Sequence, residues 1–197
     1  MTIAVLDYGA GNLRSVQHAL EEIGAPYVVT RDAAGLRAAE KIIFPGVGHF
    51  GQMMQALETL GVRELLRGRL REGVPCLGIC LGMQALFRGS AEAPGVPGLG
   101  VFDAEVVRFG PGLRVPHMGW DEVVARGRSR LLEGAPGAMM YFAHSYYAPV
   151  IEATVATCTY GTPWSAVIEA GPVCGVQFHP EKSGRLGLGV VRRFVER

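Results

Sequence analysis

The sequence predicts an α/β fold: a mostly parallel central sheet flanked by helices and extended by additional antiparallel strands, with all 197 residues in one domain. Three observations point there. Short apolar β-type runs alternate with helical patterns through the first half, which is the rhythm of βαβ units. The second half changes to short β-type runs separated by turn-rich segments, a pattern suited to antiparallel pairing. Hydrophobic residues make up 49% and charged residues 19% of the chain, so a chain of this length buries roughly 70% of the surface its unfolded form exposes and builds a sizeable core.

In chain order, the first strand runs from Thr2 to Asp7, a helix from about Asn12 to Ile23, and two strands from Tyr27 to Thr30 and from Lys41 to Phe44. One long helical stretch, about Gln52 to Arg71, precedes a buried run from Val74 to Ile79, after which a helix starts near Cys80. Turn-rich segments around Pro94 to Gly100 and Gly110 to Pro116 then separate runs such as Ala104 to Arg108 and Ala153 to Thr159. The last helix covers about Leu186 to Val195; Gly184, Gly187 and Gly189 nearby are more glycine than a robust helix tolerates, at about 1 kcal/mol each. No linker, internal repeat or low-complexity segment divides the chain.

The net charge of +1 gives no electrostatic case for nucleic acid or an anionic membrane as the main partner. No stretch approaches twenty apolar residues and the N-terminus does not read as a signal peptide, so a cytoplasmic location is expected. Four cysteines, Cys76, Cys80, Cys158 and Cys174, in such a chain read as free thiols rather than a disulfide framework.

The most informative segment is Val74-Pro-Cys-Leu-Gly-Ile-Cys-Leu-Gly-Met-Gln84, where a buried strand runs into the elbow Gly78-Ile-Cys-Leu-Gly82. In the serine version of this motif the nucleophile sits on a strained strand-to-helix turn, and the flanking glycines allow the backbones to approach. Cys80 takes that place. A helix N-terminus favours its thiolate, and the amide of Leu81 becomes a natural oxyanion donor. The bland alternative is a buried structural cysteine, which describes Cys76, inside the strand without the glycine frame.

A thiolate needs a proton shuttle. Near the C-terminus the chain reads Val176-Gln-Phe-His-Pro-Glu-Lys-Ser183, and in an extended segment His179 and Glu181 share a face. Pro180 favours that geometry by keeping the residue before it out of the helical region. The pair supplies a general base and the group that orients it. An isolated His-Pro-Glu is more often an exposed turn; together with the elbow it completes a Cys-His-Glu constellation in a sheet crevice.

Gly46-Val-Gly-His-Phe-Gly51 also fits a dinucleotide-binding fingerprint. That fingerprint belongs to the first βα turn with an acidic residue closing the next strand, whereas Glu64 lies in a helical stretch. The remaining histidines, His18, His49, His117 and His144, lack metal-ligand spacing. No metal or cofactor is expected.

At the elbow and the His-Pro-Glu pair the sequence resembles the class I, or triad, glutamine amidotransferases, in order and spacing and over essentially the whole chain. Three further segments resemble the histidine-biosynthetic branch of that family: Asp7-Tyr-Gly-Ala-Gly-Asn-Leu-Arg-Ser15, Pro116-His-Met-Gly-Trp120 and Tyr141-Phe-Ala-His-Ser-Tyr146. The resemblance implies a glutaminase that docks as a heterodimer on a (βα)8-barrel cyclase subunit and passes it ammonia through an internal channel. By motif position it makes Cys80 the nucleophile, His179 the base and acid, and Glu181 its orienter, with Val47 adding a second oxyanion amide. It places Gly48, Gln84, Glu92, Ser145 and Tyr146 around the glutamine, and Asn12, Trp120, Tyr141 and Lys182 on the docking face. Asp121 stands where asparagine is expected.

Rivals within the family are glutaminases serving anthranilate, pyridoxal phosphate or purine synthesis, set apart only by those three segments. Outside it, a cysteine hydrolase of the same broad fold has no need of the His-Pro-Glu pair. A silent binding module tolerates a damaged elbow or pair, and this chain damages neither.

Overall fold

The computed structural model describes residues 2–10, 12–134 and 137–197; Gly11 of the first quoted segment lies outside them. The chain runs β1 (Ile3–Leu6), α1 (Leu13–Glu22), β2 (Tyr27–Thr30), α2 (Ala33–Ala38), β3 (Lys41–Gly46), α3 (Phe50–Thr59), α4 (Arg63–Arg71), β4 (Cys76–Cys80) and α5 (Leu81–Ala85). It continues with β5 (Phe87–Ser90), β6 (Phe102–Arg108), β7 (His117–Ala125), β8 (Ala138–His144), β9 (Tyr146–Tyr147), β10 (Thr154–Tyr160), β11 (Thr162–Ala170), β12 (Val173–Val176), a 3-10 turn at Pro180–Lys182 and α6 (Gly184–Glu196).

Among the described residues, nine strands form one mixed sheet in the order β2-β1-β3-β4-β12-β11-β10-β7-β8. The five from β2 to β12 are parallel, and the rest continue antiparallel. Strands β5, β6 and β9 make a smaller sheet. The α/β class expected from the sequence is what is found.

The inner parallel strands are buried on both faces, which is why β1, β3 and β4 are near-continuous apolar runs, while β2 at the edge leaves Val28 and Val29 exposed. Ile3 and Val5 pack into one core with Val16 and Leu20 of α1 and Val190 and Phe194 of α6. Ala4 and Leu6 point the other way, into a second core with Leu36, Met53, Leu57 and Leu66 from α2, α3 and α4. Lys41 fastens α6 to the sheet: its Nζ donates to the carbonyls of Phe194 and Val195 at 3.1 and 2.7 Å, placing a cation at a helix C-terminus.

Three boundaries differ from expectation. The single stretch Gln52 to Arg71 is two helices, because Gly61 at φ +65° reverses the chain. The N–H of Gly61 donates to Glu58 and that of Val62 to Leu57, a Schellman cap that only a residue tolerant of positive φ closes easily. Strand β4 begins at Cys76 rather than Val74, whose N–H is engaged in closing α4 on the Arg69 carbonyl. The last helix starts at Gly184 rather than Leu186, and packing requires one of its glycines: a Cβ at Gly187 would sit 2.0 Å from the Pro180 carbonyl oxygen.

The carboxyl end of β4 lies between β3 and β12, with Gly46 in register opposite Cys80. The expected nucleophile therefore opens onto the crevice beyond the strand ends, flanked by the Val47–Gly48 turn on one side and the residues after β12 on the other.

Candidate active site

Cys80 is the one non-glycine residue at positive φ among those described, at φ 53° and ψ −110°. Such strain costs about 1–3 kcal/mol and persists only where packing enforces it. Here the enforcement is visible. A Cβ on Gly82 would lie 1.8 Å from the Phe44 carbonyl oxygen, and one on Gly78 would lie 2.8 Å from the Gly82 carbonyl oxygen. The glycine frame lets β3, β4 and α5 close on one another, and that closure pins the thiol at the turn. The helix that follows is only five residues long, so the charge it can stabilise at the turn is a local matter of its first amides.

His179 arrives on the segment after β12, fixed by its backbone. Its N–H donates to the Tyr141 carbonyl at 2.9 Å. Ser183 Oγ donates to the His179 carbonyl at 2.6 Å while accepting the Tyr141 N–H at 3.0 Å. The loop carrying the imidazole is thus stapled to β8. In the buried site His179 Nδ1 lies 2.8 Å from Glu181 Oε1, and Asn12 Nδ2 donates to that same oxygen at 3.0 Å. Burial alone would favour neutral imidazole, but hydrogen bonding with the Cys80 sulfur and with Glu181 outweighs it and raises the His179 pKa from 6.5 to about 10. An imidazole held protonated beside the sulfur is placed to give up a proton there.

In front of Cys80 lies a cavity of about 180 Å³ lined by Val47, Gly48, Leu81, Gln84, Glu92, Ser145 and Tyr146. The structure therefore brings together every residue expected around the substrate, and adds Pro116, Met118, Ala143 and His144. Glu92 Oε2 accepts the N–H of Phe50 at 2.8 Å, which ties the pocket wall to the start of α3. His49 Nδ1 accepts from Gly51 in the same turn. Both contacts occupy the amides that a dinucleotide phosphate would need, so the Gly46–Gly51 fingerprint is a helix cap and not a phosphate cradle.

The second oxyanion amide departs from expectation. The N–H of Val47 donates to Tyr8 Oη at 3.1 Å, and the same hydroxyl donates to the Val47 carbonyl at 3.0 Å. Burial, with Cys80 and Asp7 nearby, pushes the Tyr8 phenol up to about 12. In this conformation Val47 is held by Tyr8, and its amide must be released before it can serve an oxyanion.

Three more residues were not singled out from the sequence. Gln177 Nε2 donates to Cys80 Sγ at 3.6 Å. His144 Nδ1 lies 2.8 Å from the Tyr146 carbonyl, and its Nε2 lies 3.4 Å from His117 Nδ1. His117 Nε2 in turn faces Asp121 Oδ2 at 3.3 Å. Two neutral imidazoles bring two N–H groups to a row with three gaps between two acceptors, so the row lacks one proton; an asparagine at 121 would supply it.

Of the residues expected on a docking face, Trp120 is 54% exposed and is no core residue. It pairs in register with Tyr141, their rings 6.2 Å apart and edge-on, and Lys182 Nζ sits 5.9 Å from the Tyr141 ring centre. Met118, at 64%, and Met139 are exposed on the same two strands. Asn12 differs in kind: it is spent on Glu181.

The model of the family "Glutamine amidotransferase class-I" matches residues 4–196. An "Imidazole glycerol phosphate synthase subunit HisH" of Methanothermobacter thermautotrophicus is 50% identical over 98% of this chain and 98% of its own. A protein of the same name from Deinococcus radiodurans is 48% identical, covering 98% and 92%. Among solved structures, a crystal structure of a glutamine amidotransferase superposes with a TM-score of 0.78 at 24% identity, over 98% of this chain and 97% of that one. At that identity the likeness speaks for the fold alone. No helix of the described residues is long and apolar enough to cross a membrane.

Proposed function

The chain belongs to the class I glutamine amidotransferase family, and from that premise we infer that it is the glutaminase subunit of an imidazole glycerol phosphate synthase in histidine biosynthesis, acting in the cytoplasm as one domain. The observation that carries the chemistry is the strained Cys80 turn beside the His179–Glu181 pair, 2.8 Å apart. The branch of the family rests on relatives at 44–50% identity over nearly the whole chain, which bear that synthase's name. Those same relatives argue against the anthranilate, pyridoxal phosphate and purine alternatives.

The Cys80 thiolate attacks the side-chain amide carbon of glutamine, and the carbonyl π electrons move onto oxygen. The Leu81 amide faces the developing oxyanion, joined by the Val47 amide once Tyr8 lets it go. Imidazolium at His179 gives its proton to the leaving nitrogen, so ammonia departs and a glutamyl thioester remains on Cys80. Water then attacks the thioester, its proton passes to His179, the C–S bond breaks, and glutamate leaves. Glu181 keeps the imidazole in the right tautomer and balances its charge. Gly48, Gln84, Glu92, Ser145 and Tyr146 hold the amino-acid part of the substrate.

Ammonia needs a consumer, and the lining of the cavity at Cys80 includes no lysine or arginine to hold a second, phosphorylated substrate. The apolar patch of exposed Trp120 and Met118 with half-buried Tyr141, Lys182 beside it, is the face for a (βα)8-barrel cyclase subunit. Ammonia release on that side would let the barrel convert its ribulosyl nucleotide to imidazole glycerol phosphate and the aminoimidazole carboxamide ribonucleotide. Glutamate release measured with and without the barrel subunit and its nucleotide ligand tests the assignment. Strong stimulation is expected; none would assign the chain to another synthase.

A further inference from the structure

We propose that Gln177 is a further catalytic residue, whose side-chain amide donates to the sulfur of Cys80 and stabilises the thiolate as it leaves the glutamyl thioester. The proposal rests on reading Cys80 as the nucleophile. Gln177 is wholly buried, at the end of β12 and two residues before His179, where its backbone N–H is bound to the Ala166 carbonyl at 2.9 Å. Its Nε2 lies 3.6 Å from Cys80 Sγ, an ordinary length for a hydrogen bond to sulfur. A carboxamide this deep in a protein is held for a reason, since an unpaired one costs several kcal/mol.

Which end of the amide faces the sulfur decides the chemistry, and the neighbouring bonds settle it. The Tyr146 carbonyl can only accept, so Gln84 must turn its NH2 towards it, and does so at 2.8 Å. The same NH2 meets Gln177 at 3.0 Å, so Gln177 must present its oxygen there. Its own NH2 is left for Cys80. Reversing Gln177 would set two NH2 groups against each other and an oxygen lone pair against the thiolate. The backbone carbonyl of Tyr146 thereby orients, through two buried amides, the donor that reaches the reacting atom.

A neutral N–H bonds an anion about twice as strongly as a neutral acceptor, so this contact distinguishes states of the sulfur. It is strongest when the sulfur carries charge, in the resting thiolate and in the transition state for thioester breakdown. It is weakest in the thioester, where the sulfur is neutral. The step it assists is therefore deacylation: water adds to the carbonyl, its proton goes to His179, and the electron pair of the breaking C–S bond returns to a sulfur already facing the Gln177 N–H.

Gln177→Met keeps the volume and removes the donor; Gln177→Glu keeps the shape and sets a carboxylate against the sulfur. Both are compared with wild type in the complex with the barrel subunit. The first readout is the fraction of chain carrying a glutamyl adduct at residue 80 after acid quench, by mass spectrometry. The second is the pH dependence of iodoacetamide alkylation of that residue. Circular dichroism and melting identify a variant that fails to fold, in which case the other variant decides. The expected result is a severalfold larger adduct fraction at steady state, kcat at least tenfold lower with KM lowered in step, and an alkylation midpoint moved up by about one pH unit. A folded variant whose adduct fraction and alkylation profile overlay those of wild type, whatever its rate, overturns the role of Gln177. Absence of any adduct at residue 80 in wild type as well would instead overturn the reading of Cys80.

Discussion

Removing one oxygen atom from Tyr8 should raise the activity of the isolated subunit. In the structure that hydroxyl holds both polar groups of Val47, accepting its N–H at 3.1 Å and donating to its carbonyl at 3.0 Å, and so withholds an amide beside the nucleophile. Tyr8→Phe deletes both bonds and leaves a part-buried N–H without its partner. A lost hydrogen bond costs about 0.5–1.5 kcal/mol and a stranded buried donor about 1–3 kcal/mol, so the observed conformation should weaken by roughly 1–2 kcal/mol against any in which Val47 turns towards the substrate. At 1.4 kcal/mol per factor of ten, the population of the competent state, and with it kcat, should rise about 5- to 30-fold. The gain should appear in glutamate release without the barrel, with KM little changed, and should shrink when the barrel is bound and the strand is already free. A Tyr8→Phe protein that melts lower but turns over no faster would refute the view of Tyr8 as the restraint.

Further outcomes follow from neighbouring geometry. Burial lowers the His144 pKa from 6.5 to about 3, so the unfolded chain takes up its proton first; stability should be full above about pH 6.5 and fall as pH drops towards 3, by up to about 1.4 kcal/mol per pH unit. Urea titrations at several pH values should show this slope in wild type and a shallower one in His144→Gln; equal slopes would contradict it. Asp121→Asn should supply the missing proton in the row through His117 and His144 and raise stability at pH 8 by about 0.5–1 kcal/mol, read by urea denaturation, where an unchanged or lower value would tell against the proton count. Gly82→Ala would push a methyl to 1.8 Å from the Phe44 carbonyl oxygen; a loss above about 3 kcal/mol or an insoluble product is expected, and a normal melting temperature would contradict the packing account of the elbow.

The sequence made β1, β3 and β4 legible because strands buried on both faces are written as unbroken apolar runs bounded by helices, whereas β12, four residues with a glycine among them, went unread. It was less explicit about β7 and β8. Their outward positions include Met118, Trp120, Val124 and Met139, all exposed, so the polar–apolar alternation of a half-buried strand is lost on the very surface assigned to a partner. Helix α2 went unread because six residues rich in alanine and glycine carry almost no periodicity; it is held by the Asp32 cap, which accepts the Gly35 N–H at 2.8 Å. The residues proposed as nucleophile, base and orienter could be picked out because each lies in a local motif. Gln177, Tyr8 and His144 act across 97, 39 and 27 residues of chain, on Cys80, Val47 and His117 respectively. Partnerships of that reach are set by sheet order and register, and no spacing along the chain records them.

The account depends on the sulfur at residue 80 being where glutamine is cleaved and nothing more. With the barrel subunit bound, Cys80→Ala should release no glutamate from glutamine while forming product from ammonium chloride at the wild-type rate. Loss of both activities would make Cys80 a structural residue, and glutamate release that survives the substitution would place the nucleophile elsewhere.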